Sequence, residues 1–277
     1  MTPVPSQRDV FFLGEAADRR FCLVTRPAGQ PIGSLLFVHP FAEELNRSRR
    51  MVALAAQAFA QQGWTVFQMD LHGCGDSEGD FADASWQSWL SDLDRAHAWL
   101  AAHQPGPIAL WTLRAGALLA SSWLAGTAHN LPWLAWQPVF AGAPYLTQFL
   151  RIRLGADLAV SAKSGNVLAE LRAALKAGES VSVGGYWLSA ALAQGVESSS
   201  FVLPPDRPTR LCLLEVSSGD EAELTPAASN WLNKARAAGH DCHAEVASGN
   251  KFWQSTEIET APGLIAPSQR ALQAWSA

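Results

Sequence analysis

The sequence predicts an α/β fold in which a mostly parallel, doubly wound sheet carries an inserted helical segment. Three observations lead there. Short apolar runs alternate with amphipathic runs along most of the chain, the pattern of a parallel sheet covered on both faces. Of 277 residues, 48% are hydrophobic and only 16% charged, against about 25% charged in a typical soluble domain. Between Pro144 and Pro208 the alternation stops and a helical pattern replaces it.

The elements follow in order. Phe11–Arg26 supplies antiparallel edge strands, and Ser34–His39 is a buried strand. Arg47–Gln62 is a helix with Met51, Leu54, Ala55, Ala58 and Phe59 on one face and Gly63 as its stop. Thr65–Asp70 is the next strand. Ser85–Ala102 is a helix, with Trp86, Trp89, Leu90, Leu93, His97 and Leu100 at helical spacing. Ile108–Thr112 is a strand that runs into a helix from Ala115, and Trp133–Trp136 is a short strand. Leu168–Lys176 is helical, and Gly184–Gly185–Tyr186 breaks the pattern. Leu211–Val216 and His243–Ala247 are strands flanking a helix at Pro226–Ala238, and Pro267–Trp275 is the last helix. The expected domains are a core of residues 1–143 and 206–277, with a helical cap of residues 144–205 between two sheet strands.

Composition excludes several classes. Low charge and abundant apolar residues oppose disorder. A net charge of −5 argues against nucleic-acid binding. The one dense basic run, Arg47, Arg49 and Arg50, reads as a solvated or ion-paired face. From Ala115 to Leu150 there is no Asp, Glu, Lys or Arg. Polar residues and prolines split this run below the roughly 20 apolar residues of a membrane span, so it reads as core. Cys22, Cys74, Cys212 and Cys242 form no C-x-x-C pair and read as free thiols of a reducing compartment. The opening residues carry no secretory pattern, so a cytoplasmic location is expected. Neither a metal nor a cofactor is expected.

Three motifs carry the chemistry. Asp70–Leu71–His72–Gly73–Cys74–Gly75–Asp76–Ser77 follows a strand directly, and Val38–His39–Pro40–Phe41 ends an earlier one. Thr112–Leu113–Arg114–Ala115–Gly116 lies at a strand-to-helix turn. In this order they resemble the α/β-hydrolases: the turn after the fourth strand, the loop that supplies an oxyanion amide, and the G-x-S-x-G nucleophile elbow. The resemblance spans roughly residues 10–277 and implies an α/β-hydrolase fold with a cap. More closely, the chain resembles the type 2 hydrolases associated with the exosortase A system. That likeness rests on His39–Met51, Asp70–Trp86, Leu113–Gly116, Trp136–Pro138, Leu146–Leu154, Gly184–Leu188 and Phe252–Glu259. It implies a bacterial cytoplasmic protein linked to PEP-CTERM sorting and exopolysaccharide production.

The departures from the hydrolase pattern are chemical. Arg114 stands where the nucleophile belongs, and a protonated guanidinium is neither nucleophile nor base. After the last strand the sequence reads Gly249–Asn250–Lys251–Phe252–Trp253, which puts Phe252 at the slot of the triad histidine. All 7 histidines precede this point. Asp220 or Glu221 is an available acid with no histidine to orient. His243, inside a strand, is a poor substitute base.

A helix N-terminus with Arg114 beside it favours anions. Phe41, Arg114 and Ala115 therefore form the candidate oxyanion or anion site. Glu43 or Glu44 either pairs with Arg114 or acts as a general base, so the catalytic candidates are Arg114, Glu43 and Glu44. Cys74, Trp136, Gln137, Gln148, Arg151, Trp187, Trp253 and Gln254 are further pocket candidates, with Arg153 beside Arg151. Two functions stay open. One is a hydrolase with an unconventional mechanism. The other is a non-catalytic pseudo-hydrolase that binds an anionic acyl, glycosyl or phosphorylated ligand, or a partner protein of the exosortase or polysaccharide system.

Overall fold

The computed structural model describes residues 6–158, 167–219 and 223–276. Its centre is an eight-stranded sheet: β1 (Gln7–Leu13), β2 (Arg20–Arg26), β3 (Gly33–Val38), β4 (Trp64–Met69), β5 (Ile108–Leu113), β6 (Trp133–Trp136), β9 (Arg210–Ser217) and β10 (Asp241–Ser248). The spatial order is β1-β2-β4-β3-β5-β6-β9-β10. From β4 to β10 neighbouring strands run parallel, and β2 pairs antiparallel with both β4 and β1. Every residue of β3 and of β6 is buried, which explains their unbroken apolar runs. The antiparallel edge expected around Phe11–Arg26 is present as β1 and β2.

Helices cover both faces. On one side α1 (Glu43–Gln61) and α8 (Ile265–Ser276) pack on the sheet, with Met51, Val52, Phe59 and Leu272 in one core. On the other side α2 (Trp86–His103), α3 (Gly116–Ala125) and α7 (Pro226–Ala237) bury Leu93, Leu118 and Leu232 in a second core. Ser85 and Ser88 start α2 with a reciprocal capping box. Helix α3 buries most of its surface, so this part of the charge-free run is core. Among the described residues no helix is long and apolar enough to cross a membrane.

Between β6 and β9 the chain forms α4 (Gly142–Leu158), α5 (Val167–Lys176), β7 (Val181–Val183), β8 (Tyr186–Leu188) and α6 (Ala190–Ser198). The Gly184–Gly185 break is the turn of an antiparallel hairpin, since β7 pairs with β8. Both glycines have positive φ, 56° and 87°, as a two-residue hairpin turn of this hand requires. Helix α1 begins four residues before the expected Arg47. Glu43 and Glu44 fill its first turn, where acidic side chains meet the positive end of the helix dipole.

The D-x-x-G-x-G-x-S loop is built on Asp70. Its carboxylate accepts the Asp76 amide at 3.0 Å and pairs with Arg49 at 3.1 Å. Ser77 binds the Asp70 carbonyl and accepts the Phe21 amide. This loop is therefore a structural clasp between β2 and β4.

His39 is buried at the end of β3. Its Nδ1–H donates to the Pro40 carbonyl at 2.7 Å, and its Nε2 accepts the Leu71 amide at 3.2 Å. Accepting at Nε2 needs the neutral ring, and burial pushes its pKa below the ordinary 6.5. The unfolded chain then takes up the proton first as pH falls. The stabilisation is complete above pH 6.5 and is lost between there and the lower folded value. Urea denaturation at successive pH values below 6.5 should show stability falling by up to about 1.4 kcal/mol per pH unit. A flat profile through that window would show that the His39 ring is not held neutral.

Candidate functional site

The site lies at the carboxyl ends of β3, β5 and β6, where ligands bind in open parallel sheets. Three non-glycine residues there have positive φ: Ala42 at 50°, Arg114 at 54° and Gln137 at 41°. Strain of this kind, of order 1–3 kcal/mol per residue, gathers at functional sites. Arg114 is the turn between β5 and α3. Its amide donates to Trp136 O at 3.0 Å, and its carbonyl accepts from Ala117 N at 3.1 Å and Val139 N at 3.3 Å. Two residues on, Gly116 lets α3 approach β3. A Cβ there would strike the carbonyl oxygens of Val38 and His39. The backbone thus has the strand-turn-helix geometry of a nucleophile elbow, and the residue at its turn is Arg114.

The Arg114 side chain is mostly buried and engaged on several sides. Nε donates to Glu44 Oε1 at 3.2 Å, and Nη1 reaches the Gln137 carbonyl at 3.5 Å. The guanidinium also lies 5.8 Å from the Tyr145 ring centre and 5.4 Å from that of Trp253, within cation–π range. Tyr145 donates its hydroxyl to Glu44 Oε2 at 3.0 Å. Burial, reinforced by the Glu44 charge, holds the Tyr145 phenol well above its ordinary value of 10, so it stays a neutral donor.

A second chain runs beside the first. Tyr186 donates to Glu43 Oε2 at 2.8 Å and accepts from Asn46 at 3.1 Å. Glu43 lies 3.6 Å from Arg47 Nε, and Arg47 Nη1 donates to the Gln254 carbonyl at 2.7 Å. The chain has only 2 tyrosines, and both land on the adjacent glutamates that open α1.

Glu43, Glu44, Arg47, Arg114, Tyr145 and Tyr186 line a cavity of about 600 Å³, with Phe41, Gln148, Phe149, Ile152, Gly184, Trp253 and Gln254 completing its walls. Among the described residues, the Phe41 and Ala115 amides donate to no protein acceptor, and Ala115 is buried behind Arg114.

The cavity gathers seven of the expected residues: Arg114, Glu43, Glu44, Phe41, Gln148, Trp253 and Gln254. It leaves others out. Trp136 is fully buried on the α1 side of the sheet, 4.9 Å from Trp111, with Nε1 donating to Ser268 at 2.9 Å. Cys74 is buried among apolar groups, and burial raises its thiol pKa, which makes it inert. Gln137 supplies only its carbonyl to Arg114. Its side chain braces β9 by accepting the Val216 amide at 2.8 Å. Arg151 and Trp187 are exposed outside the cavity lining.

Phe252 and Trp253 both pack in the α1-side core, and of the two Trp253 also lies beside Arg114 and lines the cavity. His243 is exposed on β10 next to Glu245. The side chain of Arg153, and both Asp220 and Glu221, lie outside the described residues. Residues not foreseen in the cavity are Tyr145, Phe149, Ile152, Gly184, Tyr186 and, as a wall rather than a solvated face, Arg47. The scarcity of tyrosine was the available signal, since a rare hydroxyl-bearing ring in an apolar segment needs a polar partner.

The family model for serine aminopeptidase S33 matches residues 29–176, just over half of the chain. No curated protein gives a match. Solved structures align along nearly the full length at low identity. XC6422 of Xanthomonas campestris, described as an α/β serine hydrolase without lid, is 13% identical over 98% of this chain and 96% of its own, with a TM-score of 0.59. Est1E of Butyrivibrio proteoclasticus, solved with ferulic acid, is 14% identical over 96% of this chain and 100% of its own, with a TM-score of 0.64. A thermostable carboxyl esterase of Bacillus coagulans is 13% identical over 98% of this chain and 99% of its own, with a TM-score of 0.60. At this identity the likeness is one of fold, and it agrees with the strand order and the elbow backbone. The chain belongs to the serine aminopeptidase S33 family of α/β-hydrolases.

Proposed function

We propose that this chain is a hydrolase-fold binding protein whose cavity takes a ligand without Ser-His-Asp chemistry. One observation carries the reading: the residue in the elbow conformation is Arg114, tied to Glu44, with Trp253 beside it. A nucleophile, a base and an orienting acid must share hydrogen bonds for acyl transfer. Here the elbow holds a cation with an indole beside it, and the neighbouring Glu44 carboxylate already accepts from Arg114 and Tyr145. Residues 144–205 act as a cap that contributes Tyr145 and Tyr186 to the ligand's surroundings.

The hydrolytic alternative draws on the family match and uses Glu43 or Glu44 to activate water. Glu44 already accepts from Arg114 and Tyr145, and Glu43 from Tyr186, which opposes that role. The Phe41 amide then serves as a donor to a ligand oxygen rather than to a developing oxyanion. Resemblance to the exosortase A-associated hydrolases supports a place beside PEP-CTERM sorting and exopolysaccharide production, with a protein of that system as an alternative occupant. Four free, buried cysteines support a cytoplasmic location.

Turnover assays test the reading. p-Nitrophenyl esters and amino-acid naphthylamides should be hydrolysed no faster than in buffer. A robust rate that disappears in Glu44→Gln would replace the binding role with glutamate-assisted hydrolysis.

A further inference from the structure

Resting on the reading of the cavity as a binding site, we infer that its ligand is a neutral, polyhydroxylated group: a sugar ring rather than an acyl or phosphoryl anion. The charge balance is the first reason. Each arginine of the cavity carries its own glutamate, Arg114 with Glu44 at 3.2 Å and Arg47 with Glu43 at 3.6 Å. An anion approaching either guanidinium therefore meets a carboxylate at similar range, and like-charge juxtaposition costs several kcal/mol. A cation meets the arginines in the same way. A hydroxyl accepts from one member of the pair and donates to the other.

The unspent hydrogen bonds are the second reason. Gln148 and Gln254 are exposed on the cavity walls. Among the described residues their side-chain amides make no protein hydrogen bond. Each offers a donor and an acceptor side by side, the spacing that matches neighbouring hydroxyls. Both oxygens of Glu44 and Oε1 of Glu43 also keep a lone pair beyond their present partners, whereas Glu43 Oε2 already accepts from Tyr186 and Asn46. The planar polar groups are thus fixed in advance by Tyr145, Tyr186 and Arg47, and fixed polar groups lower the ordering cost of binding.

The walls are the third. Phe41, Tyr145, Phe149, Tyr186 and Trp253 give the cavity an aromatic surface. The apolar C–H face of a sugar ring can pack against such a surface while its hydroxyls meet the glutamates and amides. About 600 Å³ is at the lower-middle of ligand-pocket sizes, enough for one or two sugar rings.

The test is saturation-transfer NMR on the full chain. The probes are methyl glycosides of glucose, galactose, mannose and N-acetylglucosamine, each set against its uronate or 6-phosphate. At least one neutral glycoside should bind about tenfold or more tightly than its charged counterpart. Glu44→Gln, which leaves Arg114 without its counter-charge, should reverse that order. If this variant is unfolded by its melting curve, Glu43→Gln at the outer pair should move the preference the same way. Tighter binding of uronates or phosphates by the wild-type protein overturns the inference, and so does the absence of any glycoside signal. Methanol release from a bound methyl glycoside would instead overturn the non-hydrolytic reading and leave the sugar preference standing.

Discussion

Arg114→Ala should lower the stability of the folded chain by about 2 kcal/mol, although it removes a side chain from a strained turn. The loss comes from Glu44. Its side chain is 16% exposed in the ion pair, and without Arg114 its charge stays half-buried with only the Tyr145 hydroxyl as partner. Breaking one side of a fully buried pair costs about 3–5 kcal/mol, and partial exposure reduces that figure. Arg114→Gly should lose about 1 kcal/mol less than Arg114→Ala, because glycine adopts φ of 54° without steric cost. Glu44→Ala in the Arg114→Ala background should cost less than the two single losses summed. Urea denaturation of the wild type, the three single variants and the double variant measures all of this. Additive single losses would mean that Arg114 and Glu44 are uncoupled, and the site would then have to be rebuilt without their pair.

Gly116→Ala should cost about 3 kcal/mol or more, a drop of about 10 °C in melting temperature for a chain of this size. Alanine is ordinarily the better helix residue than glycine by about 1 kcal/mol, so propensity predicts the opposite sign. Position decides the outcome. The new methyl group meets the backbone carbonyls of Val38 and His39, which belong to the sheet and cannot rotate away as a side chain could. Helix α3 must move off β3, carrying Arg114 away from Glu44. Gly178→Ala makes a useful control, since nothing lies within 4 Å of a Cβ there and only its φ of 88° resists. If Gly116→Ala melts with the wild type, the close packing of α3 on β3 does not position the elbow.

Both results concern an elbow whose backbone was readable before its surroundings were. Strand-turn-helix at Thr112–Gly116, the turn at Asp70–Ser77 and the alternation of strands and helices follow from local pattern, because period and turn chemistry are local properties. Glycine at position 116 and the arginine before it could be placed for the same reason. The cavity walls could not. Tyr145 and Tyr186 reach Glu44 and Glu43 across sequence separations of 101 and 143 residues, and nothing in either neighbourhood specifies that meeting.

The errors have the same origin. Trp136 and Trp253 both sit where the chain leaves the sheet, yet one faces Phe59 and Trp111 and the other faces Arg114. Strand alternation sends Trp136 to the α1 side together with Leu134. In the loop after β10 no period exists, so Phe252 and Trp253 could not be told apart. Cys74 was misplaced because its loop stands near the site in sequence order, while its side chain turns into the core.

The charged residues show how a pair changes a site's meaning. Arg114 alone predicts an anion site. Arg114 with Glu44, beside Arg47 with Glu43, makes a balanced lattice of donors and acceptors at the foot of an aromatic cavity. The elbow's helix terminus and free amides remain, but the group they address is set by that lattice.

On the binding-protein reading proposed above, no activated serine occupies the site. Fluorophosphonate labelling of the native full-length protein, read by intact mass and peptide mapping, tests it most directly. The expected result is an unshifted mass, since Arg114 holds the elbow conformation and Trp253 stands beside it. Stoichiometric phosphonylation of any serine, lost on heat denaturation, would contradict it.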